Sequence, residues 1–123
     1  MKQHASGFLA LVTEAKKHIQ EITPQELKKL IDSGQALTLI DVREENELAQ
    51  GRIPGAIHLS KGIIERDIEK QIPDVTSPII VYCSGGFRCA LVAQNLQSMG
   101  YTNVSSLDTG LQGWINAGYK LEA

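Results

Sequence analysis

Ile79-Ile80-Val81-Tyr82-Cys83-Ser84-Gly85-Gly86-Phe87-Arg88 is the stretch on which the reading of this chain turns. Pro78 introduces four apolar residues in a row, the pattern of a strand buried on both faces in a parallel sheet. Cys83 falls at the carboxyl end of that strand, where sites of open α/β sheets form. A helix follows, carried by Ala90, Leu91, Ala93, Gln94, Leu96 and Met99 and stopped at Gly100. Main-chain N–H groups at a helix start lack partners and carry partial positive charge, so they favour a thiolate over a thiol. Gly85 and Gly86 let the backbone curl until successive N–H groups face one anion, and Arg88 adds a permanent cation. Separately, a cysteine at a strand end reads as a small buried hydrophobe and paired glycines read as a turn. Together they suit a thiolate, or a persulfide built on it.

Outward from this loop the pattern alternates. The apolar run 37–42 ends in charge and reads as a second buried strand. Gly51-Arg52-Ile53-Pro54-Gly55 is turn chemistry leading into a short strand at 56–59, and Ile63, Ile64 and Ile68 predict a helix closed off by Pro73. Thr23-Pro24-Gln25-Glu26 reads as a helix start, with Thr23 as cap, proline at the first position and Glu26 completing a capping box. Leu27, Leu30 and Ile31 face the core of that helix, Gly34 ends it, and a short apolar segment at 19–22 precedes it. A strand at 104–107 and a last helix at 111–117 complete the series. Strands alternating with helices at this spacing predict βαβ units, an α/β fold with a mainly parallel sheet. Before it, Phe8, Leu9, Val12, Ala15 and Ile19 recur at helical spacing, so residues 1–18 form an additional amphipathic helix and residues 19–123 the main domain. That helix either packs on the domain or docks a partner.

Composition narrows the classes. The chain has 123 residues, 42% of them hydrophobic and only 5% aromatic, enough for one domain with an aliphatic core. Net charge is −2 with acids and bases interspersed, which gives no electrostatic case for nucleic acid. No stretch approaches the roughly 20 apolar residues of a membrane span, and the run 8–12 is too short and too closely followed by Glu14, Lys16 and Lys17 for a signal peptide. Two cysteines cannot build a disulfide framework. They suit a reducing compartment, and the expectation is a cytoplasmic protein. His18 and His58 are isolated, so no metal site and no cofactor is expected.

Four separated pieces then resemble one family, the rhodanese-like single-domain sulfurtransferases. They are Asp41-Val42-Arg43-Glu44, Gly51-Arg52-Ile53-Pro54-Gly55-Ala56 with Arg52 where histidine is common, the Cys-x-x-Gly-x-Arg loop from Cys83 to Arg88, and Leu107-Asp108-Thr109-Gly110 with Trp114. Thr109 departs from the family's glycine there. The resemblance implies a five-stranded, mainly parallel sheet flanked by helices on both faces, with Cys83 as nucleophile and Ser84, Gly85, Gly86, Phe87 and Arg88 binding substrate. It implies transfer of sulfane sulfur from thiosulfate, polysulfide or a protein persulfide, through a Cys83 persulfide, to a thiol or cyanide acceptor.

In the same light Asp41 is expected to fix the site arginine or the loop, while Arg43 is either structural or part of a solvated loop. Arg52 either attracts an anionic donor or is an exposed turn residue, and Trp114 is core packing. Cys89 replaces a hydroxyl common in the family. It either resolves Cys83 chemistry into a disulfide or merely packs a helix turn. Relatives of this fold include phosphatases and arsenate reductases, and others act as non-enzymatic sulfur carriers or regulatory binding modules. The phosphatase-like members have a loop one residue longer, a wider cradle for a tetrahedral group. Six residues from Cys83 to Arg88 favour sulfur, and Phe87 with a single loop cation predicts modest use of thiosulfate.

Overall fold

The computed structural model describes residues 4–123, so residues 1–3 of the expected N-terminal helical segment lie outside the described residues. Five strands, β1 (Gln20–Ile22), β2 (Thr38–Asp41), β3 (Ile57–His58), β4 (Ile79–Tyr82) and β5 (Val104–Leu107), form one sheet in the order β1-β5-β4-β2-β3. Every pairing is parallel. β4 lies at the centre, and all four of its residues are buried. Alternation along the strand explains this. Ile79 and Val81 enter a core with Ile64 and Ile68 of α3 (Ile64–Gln71) and Val92 and Leu96 of α4 (Arg88–Ser98). Ile80 and Tyr82 enter the opposite core with Leu27 of α2 (Pro24–Asp32) and Leu111 and Trp114 of α5 (Gly110–Asn116).

Local signals set the helix ends. At α2 the Glu26 N–H donates to Thr23 Oγ1 at 3.1 Å and the Thr23 N–H to Glu26 Oε1 at 2.8 Å, the reciprocal cap expected from the sequence. The remaining helix, α1 (Ser6–Lys16), packs on α4 through Val12 and Ala15 against Ala90, with Phe8, Phe87 and Leu91 beside them. Among the described residues, no helix is long and apolar enough to cross a membrane.

Two differences from the sequence reading bear on the site, and one expectation is met beside them. A 3-10 helix (Glu45–Gln50) stands where a solvated loop was one expectation. The Glu47 carboxylate accepts the Glu44 N–H at 2.7 Å and helps hold its first turn. α4 begins at Arg88, so Cys89 lies in its first turn, as the sequence reading has it. Arg52 is half-buried and not an exposed turn residue, because its main chain pairs with Glu122 and ties the C-terminal tail down.

Candidate active site

The sheet order places the Cys83 loop at a switch in chain direction. From β2 the chain runs outward to β3, whereas from β4 it runs the other way to β5. The connections leaving these neighbouring strands diverge, and the divergence opens a crevice outside their carboxyl ends. The loop after β4 fills one side. The 3-10 helix after β2 fills the other, and Arg88 crosses to it, donating to Glu47 Oε2 at 2.8 Å and Oε1 at 3.0 Å. Such a two-point fork fixes the guanidinium plane as well as its charge.

The loop's shape depends on contacts from the end of β5. Gly86 has φ +91°, and a Cβ there would lie 2.0 Å from the Asp108 carbonyl oxygen. Gly110 has φ +64°, and a Cβ would lie 2.6 Å from the carbonyl oxygens of Cys83 and Ser84. Only glycine suits either position. The close approach lets the first turn of α5 hold the loop, with Leu111 N–H donating to Cys83 O at 2.8 Å and Gln112 N–H to Ser84 O at 2.9 Å. Gly85 is different: a Cβ there meets only the Phe87 ring, at ordinary contact distance.

With its carbonyl held by α5, Cys83 presents its sulfur to the loop's own amides. Cys83 Sγ accepts from the Gly86 N–H at 3.2 Å and the Cys89 N–H at 3.4 Å, and the Cys89 sulfur stands 3.5 Å away. The Cys89 thiol's hydrogen bond, then the two amides and the Arg88 charge, together bring the Cys83 pKa down to about 6 against the opposing effect of burial. Burial, with the charge on Cys83 beside it, pushes the Cys89 thiol well up. Negative charge therefore resides on Cys83, and Cys89 keeps its proton. Among the described residues, the amides of Ser84, Gly85, Phe87 and Arg88 donate to no main-chain carbonyl.

In front of Cys83 lies a cavity of about 680 Å³, floored by the loop and walled by His4, Phe8, Glu47 and Gln112. The Phe87 ring carries the apolar side, 4.6 Å from the His4 ring and 6.4 Å from that of Phe8. Lys16 Nζ lies 5.7 Å from its centroid. The N-terminal segment and α1 thus shape the cavity mouth, a contribution that helical periodicity alone did not indicate.

Asp41 and Arg43 are brought together, but not at the cavity. Both are buried, at 0% and 1% exposure, which removes the solvated-loop reading of Arg43. Arg43 Nε and Nη2 donate to the Asp41 carboxylate at 3.0 Å and 2.8 Å. Asp41 therefore fixes Arg43, and of its two expected partners, the site arginine or the loop, the site arginine Arg88 pairs with Glu47 instead. Arg88 is held by Glu47, a residue the sequence reading missed. The two pairs connect, because Arg43 Nη1 donates to Glu47 O at 3.2 Å and Nη2 to Gly51 O at 2.8 Å. Asp41 orients Arg43, Arg43 holds the 3-10 helix, and that helix sets Glu47 against Arg88. The reciprocal spacing of Glu44 and Glu47 was the available signal for the turn. Trp114 is core, as expected, with Nε1 donating to Lys120 O at 2.9 Å.

Comparison with known proteins gives a consistent picture. The family profile described as "Rhodanese-like domain" matches residues 23–117. The thiosulfate sulfurtransferase GlpE of Haemophilus influenzae is 35% identical over 98 residues, covering 80% of this chain and 90% of GlpE. A solved Rhodopseudomonas palustris protein, described as of unknown function and a possible tyrosine phosphatase, superposes with a TM-score of 0.85 at 30% identity over 99% of each chain. The polysulfide-sulfur transferase homodimer of Wolinella succinogenes gives 0.80 at 28% identity, covering 95% of this chain and 88% of its own. Two further curated relatives are longer, and the chain spans 54% and 32% of their lengths.

Proposed function

The chain belongs to the rhodanese-like domain family, and from that premise we propose that it is a sulfurtransferase working through a persulfide on Cys83. The carrying observation is the convergence of the Gly86 and Cys89 N–H groups on the Cys83 sulfur. The Cys83 thiolate attacks the outer sulfur of a donor, the donor's remaining part leaves with the electron pair of the broken bond, and a persulfide stays on Cys83. An acceptor thiolate or cyanide then attacks the outer sulfur and returns Cys83 as thiolate. Two separate half-reactions imply ping-pong kinetics. The free amides of the loop hold the charged outer sulfur, in the manner of an oxyanion hole. Asp41, Arg43 and Glu47 act as positioning residues for Arg88.

The cavity favours some donors. The Arg88 charge is already matched by Glu47, which itself walls the cavity, and Phe87 and Phe8 are apolar. A thiosulfate dianion finds no unmatched loop cation there, so polysulfide or a protein persulfide suits the site better and thiosulfate turnover is modest. The unbridged cysteines suit a reducing, cytoplasmic setting.

A phosphatase reading is favoured only by the description of the Rhodopseudomonas protein. Against it, the stretch from Cys83 to Arg88 is six residues, and Arg88 is tied to a carboxylate that would repel a phosphoryl group. Incubation with thiosulfate or polysulfide and cyanide decides between them. Thiocyanate should form and Cys83→Ser should abolish it. Hydrolysis of p-nitrophenyl phosphate without thiocyanate would reverse the assignment, and neither activity would favour a binding or carrier module.

A further inference from the structure

We propose that Cys89 is a resolving thiol that attacks Cys83 Sγ of the loaded protein, expels the outer sulfur as hydrosulfide and closes a disulfide between the two residues. The inference rests on the persulfide reading above and adds a second activity to it, sulfide release beside transfer to an acceptor.

Three observations carry it. The first is distance. The sulfurs are 3.5 Å apart, at the edge of the range from which reacting atoms proceed without rearrangement, about 3–3.5 Å. A disulfide requires about 2.05 Å, so closure is a movement of roughly 1.5 Å. The second is direction. Cys83 lines the cavity, whereas Cys89 is fully buried and forms no part of the cavity wall. Cys83 is thus the member of the pair that borders the cavity, and Cys89 lies behind it in the interior. An outer sulfur on Cys83 has the cavity to leave into, whereas Cys89 meets Cys83 Sγ from within the protein. The third is a donor with no other evident task. Ser106 is fully buried on β5, and its side-chain hydrogen bond, at 3.1 Å, is to Cys89 Sγ. A hydroxyl aimed at that sulfur stabilises the charge it acquires as it attacks.

Atoms and electrons balance. The persulfide anion and the Cys89 thiol give a disulfide and hydrosulfide. The bond from Cys83 Sγ to the outer sulfur breaks, and the bond from Cys83 Sγ to Cys89 Sγ forms. The departing sulfur leaves with the pair of the broken bond, Cys89 supplies the pair of the new one, and in net the proton Cys89 loses is matched by the one the departing sulfur takes up as hydrosulfide. An external dithiol then reduces the disulfide and restores both thiols by exchange. Because Cys89 is out of reach of solvent, small acceptors meet the outer sulfur first, and resolution takes over where acceptor is scarce.

The test loads the 123-residue chain with polysulfide under anaerobic conditions, removes excess donor and follows intact mass and released hydrosulfide without acceptor. The loaded species, about 32 Da above the reduced protein, should convert to one about 2 Da below it. One hydrosulfide should appear per chain, both thiols should become resistant to alkylation, and dithiothreitol should restore them. Cys89→Ser should hold the added sulfur at least tenfold longer. Wild-type protein that keeps the added mass, or Cys89→Ser that releases hydrosulfide at the wild-type rate, overturns the proposal while leaving the persulfide reading intact. No gain of mass with polysulfide or thiosulfate removes the persulfide reading and this one with it. Should Cys89→Ser fail to fold, the wild-type mass and alkylation data decide alone.

Discussion

At the scale of single residues, Cys83 is a buried sulfur that nonetheless carries charge. Burial alone would raise a thiol's pKa, yet the Cys89 thiol, the Gly86 and Cys89 amides and Arg88 outweigh it and bring the value to about 6. Below about pH 6 Cys83 is a thiol and unreactive, and above it the thiolate predominates. Alkylation by iodoacetamide should therefore rise through about pH 6 and level off near neutrality. A rate still climbing at about pH 8.5, where an ordinary thiol titrates, would contradict the geometry. Arg88 is the second residue with a defined consequence. Its charge is matched by Glu47, whose own pKa is lowered first by that same hydrogen-bonded pairing. Replacing Glu47 with glutamine keeps a hydrogen-bonding partner but releases the charge. We expect kcat/KM for thiosulfate to rise about fivefold, the effect of ~1 kcal/mol, with little change for a neutral persulfide donor. Equal change for both donors would show that Glu47 sets loop shape and not selectivity.

Elements explain why those residues meet. The loop after β4 is clamped from the β5 side, and the clamp tolerates no side chain at Gly86. Gly86→Ala would place a Cβ against the Asp108 carbonyl in a backbone conformation that alanine rarely adopts, so activity should fall by more than about tenfold. Gly85→Ala meets only the Phe87 ring and should stay within about twofold. Sulfur transfer assays on the pair separate backbone geometry from simple crowding. The same contrast shows what the sequence disclosed. The strand, the glycine-rich loop and α4 were legible because a buried strand and a helix differ in hydrophobic period, and the loop chemistry lies between them within ten consecutive residues. The 3-10 helix was not. It has no buried residue, its one local signal is the reciprocal spacing of Glu44 and Glu47, and its framework is the Arg43 fork reaching Glu47 O and Gly51 O, a tertiary support. Arg88 and Glu47 are 41 positions apart, so their pairing followed from sheet order and not from any motif.

Across the whole molecule, one buried ion pair links the sheet to the site. Asp41 and Arg43 are nearly devoid of solvent, and each has its polar atoms matched within the chain. Burying such a pair gains little by itself, but removing one partner strands the other. Asp41→Asn should lower unfolding free energy by about 3–5 kcal/mol, read as a reduced denaturant midpoint, and should also loosen Arg88 through the 3-10 helix. An unchanged midpoint would remove this pair from the framework. The resemblance seen in the sequence led correctly to the parallel sheet, yet left Asp41 between the site arginine and the loop and did not name Arg43 as its partner, because a motif names residues without their partners. The central claim is that sulfur is carried on Cys83. It is tested most directly by peptide mass mapping after exposure to polysulfide. One added sulfur, about 32 Da, on the peptide containing Cys83, removed by cyanide with formation of thiocyanate and absent in Cys83→Ser, is the predicted result. Thiocyanate formation that persists in Cys83→Ser, or no sulfur on the protein at all, would contradict it.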